Sequence, residues 1–144
     1  MALTGTWPRS LDDKGRLAVP KRVREELGAG IQSLFVAQGT EQSLMIYTPE
    51  SFDQLAQRYS EKSGAKADMR GFMRLFYARA ERIDVDSQGR IRIPDRLKGF
   101  AGLEREVVLL GVNDHLELWD TARWEDYVGS LNPQFDEIAA LAYD

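Results

Sequence analysis

Alternating runs of apolar and polar residues recur along the chain and predict a fold built mainly of short β-strands. The stretch LDDKGRLAVP, at residues 11–20, returns 74 positions later as VDSQGRIRIP, at residues 85–94. Each stretch predicts a tight turn, then a strand with every second residue apolar, and then a proline that cannot donate to a β-ladder. The chain therefore contains the same local pattern twice.

Each copy continues with the same order of predicted elements. A short helix follows the proline, at 21–27 in the first copy and at 95–101 in the second. A hairpin comes next, and a helix closes each copy, capped by Thr48 or by Asp120. The hairpin strands are predicted at SLFVAQ and SLMIYT in the first copy and at EVVLLG and HLELWD in the second.

A further helix is predicted between the copies, at about 65–82, after a loop at 60–64. We assign its apolar stripe to the core or to a contact between subunits, and no cofactor-binding pattern accompanies it. The stripe consists of Met69, Phe72, Met73, Phe76 and Ala80.

The two copies are expected to form one domain over residues 1–144. They span about 5–60 and about 80–130, and the tail at about 131–144 carries no prediction. A single copy of about 50 residues would leave open strand edges around a small core. We therefore expect the copies to pair and close a small β-barrel with peripheral helices.

The residue types of the repeated turn explain its shape. Asp can accept hydrogen bonds from backbone amides that follow it, and Gly tolerates a positive φ. The tips of the two turns differ, since Lys14 in the first is replaced by Gln88 in the second. The residues predicted to shape the turns and the strand ends are Asp12, Gly15, Pro20, Asp86, Gly89, Arg90 and Pro94.

Charge is distributed unevenly along the chain. The formal net charge is −4, which as a single number argues mildly against a nucleic-acid partner. Residues 1–24 nevertheless hold six basic residues against two acidic ones, whereas residues 25–144 hold 13 basic and 21 acidic residues. A basic start on an acidic body favours a polyanionic partner on one side of the molecule.

These motifs together resemble the MraZ family of bacterial transcriptional regulators. The resemblance implies a mainly β fold with peripheral helices, in which an AbrB-like swapped-hairpin (double-psi type) β-barrel uses two repeats. It also implies a ring-shaped homo-oligomer, an octamer or a dodecamer in the family. The stretches that carry it, from about residue 5 to residue 128, are DDKGRLAVPKRVREEL, RGFMRLFYARAERIDVDSQGRIRIP, AGLEREVVLLGVNDHLELWD and RWEDY.

The same resemblance implies sequence-specific binding to double-stranded promoter DNA. Family members bind tandem repeats upstream of the division and cell-wall gene cluster, which includes their own gene. Arg can bind guanine O6 and N7 as a fork, and Lys can do so less rigidly. Lys14 and Arg16 are therefore the first candidates for base or phosphate contact, with support at phosphates from Arg9, Lys21 and Arg22.

The second turn is expected to be structural or to lie in a subunit contact. Its surrounding segment, 84–98, holds three acidic and four basic residues, so its charge is nearly balanced. One basic patch alone binds DNA weakly, with a typical non-specific Kd of ~10⁻⁴–10⁻⁶ M. A ring that presents the first turn several times would raise the affinity through multivalency.

Other interpretations stay open at this point. The first turn can be purely structural, with Asp12 and Arg16 paired only to fix the barrel. Lys21, Arg22 and Arg24 can form the solvated side of a short helix, and Arg9 can be an edge-strand cation without a ligand. An AbrB-like antitoxin or protein-interaction module is the second function class, although antitoxins usually carry one barrel half and a disordered tail.

A small barrel enzyme is the third class and has the least support. The chain has no cysteine and one histidine, His115, which leaves a zinc site or a cysteine nucleophile without its residues. No Gly-rich phosphate loop follows a predicted strand. We expect a non-enzyme without cofactor, metal or small-molecule substrate. With no signal-peptide pattern and no apolar run of about 18 residues, we expect it in the cytoplasm at the nucleoid, without membrane contact.

Overall fold

The computed structural model describes residues 2–63 and 66–143, which form eight strands and six α-helices. The first repeat contains β1 (Thr6–Ser10), β2 (Arg16–Ala18), α1 (Lys21–Leu27), β3 (Ser33–Gln38), β4 (Leu44–Tyr47) and α2 (Pro49–Ser63), and α3 (Ala67–Arg79) joins it to the second. The second contains β5 (Glu81–Asp84), β6 (Arg90–Arg92), α4 (Asp95–Ala101), β7 (Glu106–Val112), β8 (His115–Asp120), α5 (Thr121–Leu131), a 3-10 turn (Asn132–Gln134) and α6 (Phe135–Tyr143).

The strands of the two repeats alternate within one antiparallel six-stranded sheet, ordered β1-β7-β8-β4-β3-β5. The β7–β8 hairpin of the second repeat lies between β1 and β4 of the first, and β5 pairs with β3. A separate two-stranded sheet joins β2 to β6. Each repeat therefore covers strand edges of the other, and the double-repeat β fold is confirmed.

The large core lies between the two sheets. Leu17 and Ile91 stand directly opposite each other in the small sheet, and both are almost completely buried against side chains of the large sheet. Val23 of α1 and Leu97 of α4 close this core. The helices contain more residues than the strands, but α2, α3 and α5 pack on the outside, which is the predicted peripheral arrangement.

The short helices α1 and α4 have the predicted bounds, and the helices that follow the hairpins begin at the predicted caps. Thr48 accepts a hydrogen bond from the amide of Ser51 at 3.0 Å, and Asp120 accepts one from the amide of Arg123 at 3.2 Å. Each side chain thus caps its helix. The tail, which carried no prediction, forms the 3-10 turn and α6.

Two predicted boundaries are corrected. Residues 60–63 of the predicted loop belong to α2, because Tyr59 packs against the rings of Phe72 and Phe76 and extends the helix; residue 64 lies outside the described residues. The helix predicted at about 65–82 is α3, which ends at Arg79. Residues 81 and 82 belong instead to β5, because pairing with β3 overrides their helical pattern. None of the helices described has both the length and the apolar character that a bilayer crossing requires.

Candidate nucleic-acid interface

The first Asp-x-x-Gly-Arg turn is closed by its own aspartate. Asp12 Oδ1 accepts hydrogen bonds from the backbone amides of Lys14 at 2.9 Å and Arg16 at 2.8 Å. Asp12 Oδ2 accepts the Nε–H of Arg16 at 2.5 Å. The amide of Gly15 donates to the carbonyl of Asp12, and Gly15 has a φ of 73°, which a residue with a Cβ rarely adopts. Lys14 therefore stands at the tip of a turn with a fixed backbone.

The second turn repeats this geometry. Asp86 Oδ1 accepts from the amides of Gln88 at 2.8 Å and Arg90 at 2.9 Å, and Oδ2 accepts from Arg90 Nε at 2.9 Å. Gly89 has a φ of 76°. The backbones of the two turns therefore agree, and the turns differ in their side chains.

Backbone hydrogen bonds also set the ionisation of both aspartates. The amide of Arg16 lowers the pKa of Asp12, and the amide of Arg90 lowers the pKa of Asp86. Each carboxylate is therefore charged at neutral pH and accepts hydrogen bonds only. Both turns stay closed at any pH well above the ordinary aspartate range.

Arg16 retains donors for a second acceptor. Asp12 binds its Nε, and about a third of the side chain is exposed. A guanidinium has five N–H donors, so the terminal nitrogens can still contact a guanine edge or a phosphate. The pairing with Asp12 thus orients Arg16 and is compatible with a DNA contact.

The small sheet places another arginine beside the first turn. Arg16 lies directly opposite Arg92, and Ala18 lies opposite Arg90. The residues between them point into the core, so these four side chains share the outer face of the sheet. Arg92 is exposed. In the sequence it is one of the four basic residues of segment 84–98, whose charge is nearly balanced. The alternation of RIRI after the second turn was the signal that could have placed it on the outside.

Lys98 of α4 is a second cation that the sequence pattern did not assign to the first turn. A Cβ added to Gly15 would lie 3.4 Å from both Cδ and Nζ of Lys98. The same turn is tied to the other repeat by a hydrogen bond from the amide of Ile93 to the carbonyl of Gly15 at 2.9 Å. The first turn therefore receives its neighbouring cation from the second repeat.

The cations of α1 lie at the other end of the small sheet. Because β2 and β6 are antiparallel, the two turns project from opposite ends of this sheet, and α1 follows the end beside the second turn. Arg24 covers Gly89, and Lys21 lines a cleft together with Asp86. Arg22 is exposed, 3.7 Å from Glu26. The predicted set is thus divided, with Lys21 and Arg22 separated from Lys14 and Arg16.

Arg9 belongs to the strand that leads into the first turn. It lies in β1, is partly buried, and donates from Nη1 to the carbonyl of Pro8 at 2.8 Å. The amide of Leu11 then bonds to Arg105 before the turn begins. Arg9 therefore belongs to the large sheet, in the strand that leads into the first turn, and not to the turn itself.

His115 lies apart from both turns, in the second hairpin. Its Nδ1 is 2.7 Å from Asp114 and its Nε2 is 3.1 Å from Glu117, while the ring stacks on Tyr47. Burial alone lowers the pKa of His115, but the hydrogen bonds to Glu117 and Asp114 outweigh it and raise this pKa above its ordinary value. The cluster is an ion network that braces the hairpin, and no metal-binding group was found among the described side chains.

Comparisons with known proteins agree with this duplicated architecture. The family model "MraZ protein, putative antitoxin-like" matches twice, over residues 2–75 and 76–143. The chain is 34% identical to the transcriptional regulator MraZ of Moorella thermoacetica, covering 97% of this chain and 96% of the relative. It is 37% identical to the protein of the same name from Ligilactobacillus salivarius, with the same coverage. For that of Alkaliphilus metalliredigens the identity is 37%, over 94% of this chain and 92% of the relative. Because both halves match one family model and the relatives match over almost their full length, the chain belongs to the MraZ family.

Proposed function

We propose that this protein regulates transcription by binding double-stranded DNA with sequence specificity, and that the first turn makes the contact. The geometry of the first turn is the observation that supports this proposal most directly. It holds Lys14 at a rigid tip and leaves Arg16 with unused donors, and Arg92 lies beside Arg16 on the same exposed face. This arrangement supplies three neighbouring cations, which is the chemistry that phosphates and guanine edges require.

The shape of the small sheet supports the same proposal. The major groove of B-DNA is about 12 Å wide and admits a two-stranded β-ribbon. The β2–β6 sheet is such a ribbon, with apolar residues inside and Arg16, Arg90 and Arg92 outside. With its cationic tip at one end, this ribbon can bring Lys14 to base edges while Arg16 and Arg92, at the same end, contact phosphates.

A single turn is a weak DNA ligand, so the proposal includes a homo-oligomeric ring. Several turns on one ring would bind several DNA elements at once, and avidity gains of ~10²–10⁴ are typical where the geometry fits. Tandem repeats in DNA match such a surface. The family resemblance gives the proposed target, the promoter of the division and cell-wall gene cluster, which includes the gene of the protein itself. The proposed location is therefore the nucleoid in the cytoplasm.

We also propose that residues 1–144 act as one domain of two repeats. The strands of either repeat lie between strands of the other in the large sheet. Separating the repeats would expose unpaired edges on both. Neither repeat is expected to fold or to bind DNA alone.

Selection of bound sequences from random DNA tests the proposed function. We expect enrichment of short direct repeats at constant spacing, with an affinity that falls as salt rises, because phosphate contacts release counterions. A matched control DNA keeps both repeats but changes their spacing by about 5 bp, which moves one repeat to the opposite face of the duplex. The control should bind much more weakly. An unenriched pool, or equal binding to both spacings, would contradict the proposal.

A further inference from the structure

α6 carries an apolar face that the rest of the described chain leaves uncovered. Phe135, Ile138 and Leu141 are 68%, 42% and 78% exposed. Helical spacing places them on one side of α6, with Asp136 on the opposite side and Glu137 at the edge of the apolar stripe, beside Leu141. α6 has nine residues and contacts mainly the 3-10 turn before it. A helix this short is marginal in water without packing, so its apolar face needs a partner from outside the described chain.

α3 presents a second uncovered apolar face. Its inner side packs through the buried Phe76, whereas Phe72 and Leu75 are 40% and 52% exposed. Ala78 and Gly71 lie on the same outer side as Leu75, by helical spacing. A Cβ added to Gly71 would meet nothing within 4 Å, so the fold of the chain does not require glycine there. Glycine is a poor helix former, but without a side chain at position 71 the backbone of another helix can approach α3 closely.

The two helices carry opposite net charge. α3 contains three arginines and one aspartate, whereas α6 contains two acidic residues and no basic residue. The two helices also follow the two copies of the repeat, α3 after the first copy and α6 after the second. α3 folds back onto α2 and β3, but α6 extends away from its own repeat. The chain thus exposes an acidic apolar helix and a basic apolar face that would accept one.

We propose that α6 of one copy docks on the outer face of α3 of a neighbouring copy. The occupant of the α3 face is thus a second copy of this chain, and the proposal rests on the homo-oligomer of the proposed function. Phe135, Ile138 and Leu141 pack along Gly71 and Leu75, and the acidic residues of α6 lie beside Arg74 and Arg79, which flank Leu75 on α3. Each copy uses two different surfaces, so the contact is heterologous and repeats around a ring until it closes.

Cross-linking identifies the contact directly, because the chain has no cysteine of its own. The full-length variants Ile138→Cys and Leu75→Cys are mixed and treated with a short bismaleimide. A covalent dimer should form in the mixture and not with either variant alone, since residue 138 faces residue 75 of the neighbour. The matched control replaces Ile138→Cys by Ala122→Cys, an exposed position on α5, and should give no dimer.

A complementation experiment tests the same contact without cross-linker. Phe135→Asp/Ile138→Asp removes the α6 face, and Gly71→Gln/Leu75→Asp removes the α3 face. Each variant should lose the ring mass in light scattering while keeping its circular dichroism spectrum. Mixed together they should form a dimer of one copy each, because each retains the surface that the other lacks. Gly129→Gln, at an equally open helical glycine of α5, is the control that should keep the ring.

The outcomes separate this contact from the proposed function. An intact ring without linkage between positions 138 and 75, or a ring that survives Phe135→Asp/Ile138→Asp, would overturn the α6–α3 contact and leave the DNA-binding ring standing. Cross-linking of Ile138→Cys to itself would also overturn it, since that requires an α6–α6 contact. A monomeric wild-type protein would overturn both proposals.

Discussion

The two Asp-x-x-Gly-Arg turns have the same backbone and different surroundings. Asp12 and Asp86 accept the same three hydrogen bonds, and both glycines have a φ near 75°. The tip residue is Lys14 in one turn and Gln88 in the other. The duplication has therefore kept the residues that fold the turn, while the exposed positions differ and can serve different purposes.

The cations around the turns show the same contrast. Lys98 of the second repeat lies against the first turn, and Arg24 of the first repeat lies against the second turn. Arg92 has no equivalent cation, because the corresponding residue of the first repeat is Ala18. Because the two turns fold alike but expose different side chains, paired variants should have similar effects on stability and different effects on DNA binding.

The largest effect should come from the centre of the small sheet, where the repeats are equivalent. Leu17→Ala and Ile91→Ala each remove a fully buried side chain, which typically costs about 2–5 kcal/mol. Because the two side chains face each other in one core, the free energies of unfolding should fall by similar amounts. Urea unfolding at one fixed protein concentration measures both, with the exposed Ala18→Ser as control. Loss of stability in only one variant would show that the repeats do not share the core.

A smaller effect is expected at the turn glycines. A residue with a Cβ in the left-handed region costs roughly 1–2 kcal/mol, so Gly15→Ala and Gly89→Ala should both destabilise the protein. Gly89→Ala should lower the free energy of unfolding more, since its Cβ would lie 2.5 Å from the guanidinium of Arg24 and displace it. A Cβ at residue 15 would lie 3.4 Å from the side chain of Lys98, which is an ordinary contact. Thermal unfolding gives the order. A larger loss for Gly15→Ala would contradict it.

Exchanging the tips separates function from folding. Asp13→Ser/Lys14→Gln gives the first turn the tip of the second without changing net charge, and Ser87→Asp/Gln88→Lys does the reverse. Exposed substitutions of this kind usually change stability by less than about 0.5 kcal/mol. We expect the first exchange to weaken DNA binding about tenfold, the loss of one contact of about 1.4 kcal/mol, and the second to leave it unchanged. Fluorescence anisotropy with repeat DNA measures both, and a gain of affinity from the second exchange would contradict the assignment.

The smallest effect concerns the hairpins, where Ser43 of the first repeat corresponds to His115 of the second. Ser43 closes its turn by donating to the carbonyl of Thr40, and that bond does not titrate. Hydrogen bonds to Glu117 and Asp114 raise the pKa of folded His115 above its ordinary value. Protonated His115 therefore stabilises the fold below about pH 6.5, and this contribution is lost as the pH rises through the folded pKa.

Urea unfolding of the wild type and of His115→Gln between pH 5.5 and 8.5 checks this difference. The wild type should lose slightly more stability than the variant over this range. Identical pH profiles would show that His115 does not carry the effect.

Most of the fold could be predicted from the sequence because its two halves repeat. Matching positions of the two copies, such as Leu17 and Ile91, predict the strands, the short helices and the hairpins. The end of α3 could not be predicted locally, since residues 81–84 become a strand only by pairing with β3. The helix α6 could not be predicted from its repeat either, because α3 and α6 pack differently.

The interface was predicted only in part. Lys14 and Arg16 follow from the residue types of the turn, and the structure places them together. Lys21 and Arg22 are adjacent to them in sequence but lie at the other end of the small sheet, because β2 carries the chain across it. Lys98 and Arg92 lie near the first turn because strands of the two repeats pair with each other. No local sequence pattern predicts that pairing.

The most direct test of the central claim compares DNA binding by Lys14→Ala/Arg16→Ala and Gln88→Ala/Arg90→Ala. Both double variants truncate a tip and break one Asp–Arg pair, so the structural damage is matched. On repeat DNA at one salt concentration, with both proteins folded and of unchanged mass, the first should lose at least about 100-fold in affinity, since two contacts are removed from every copy in the ring. The second should stay within about threefold of the wild type, a difference of roughly 0.7 kcal/mol. Equal losses in the two variants would contradict the assignment of DNA binding to the first turn.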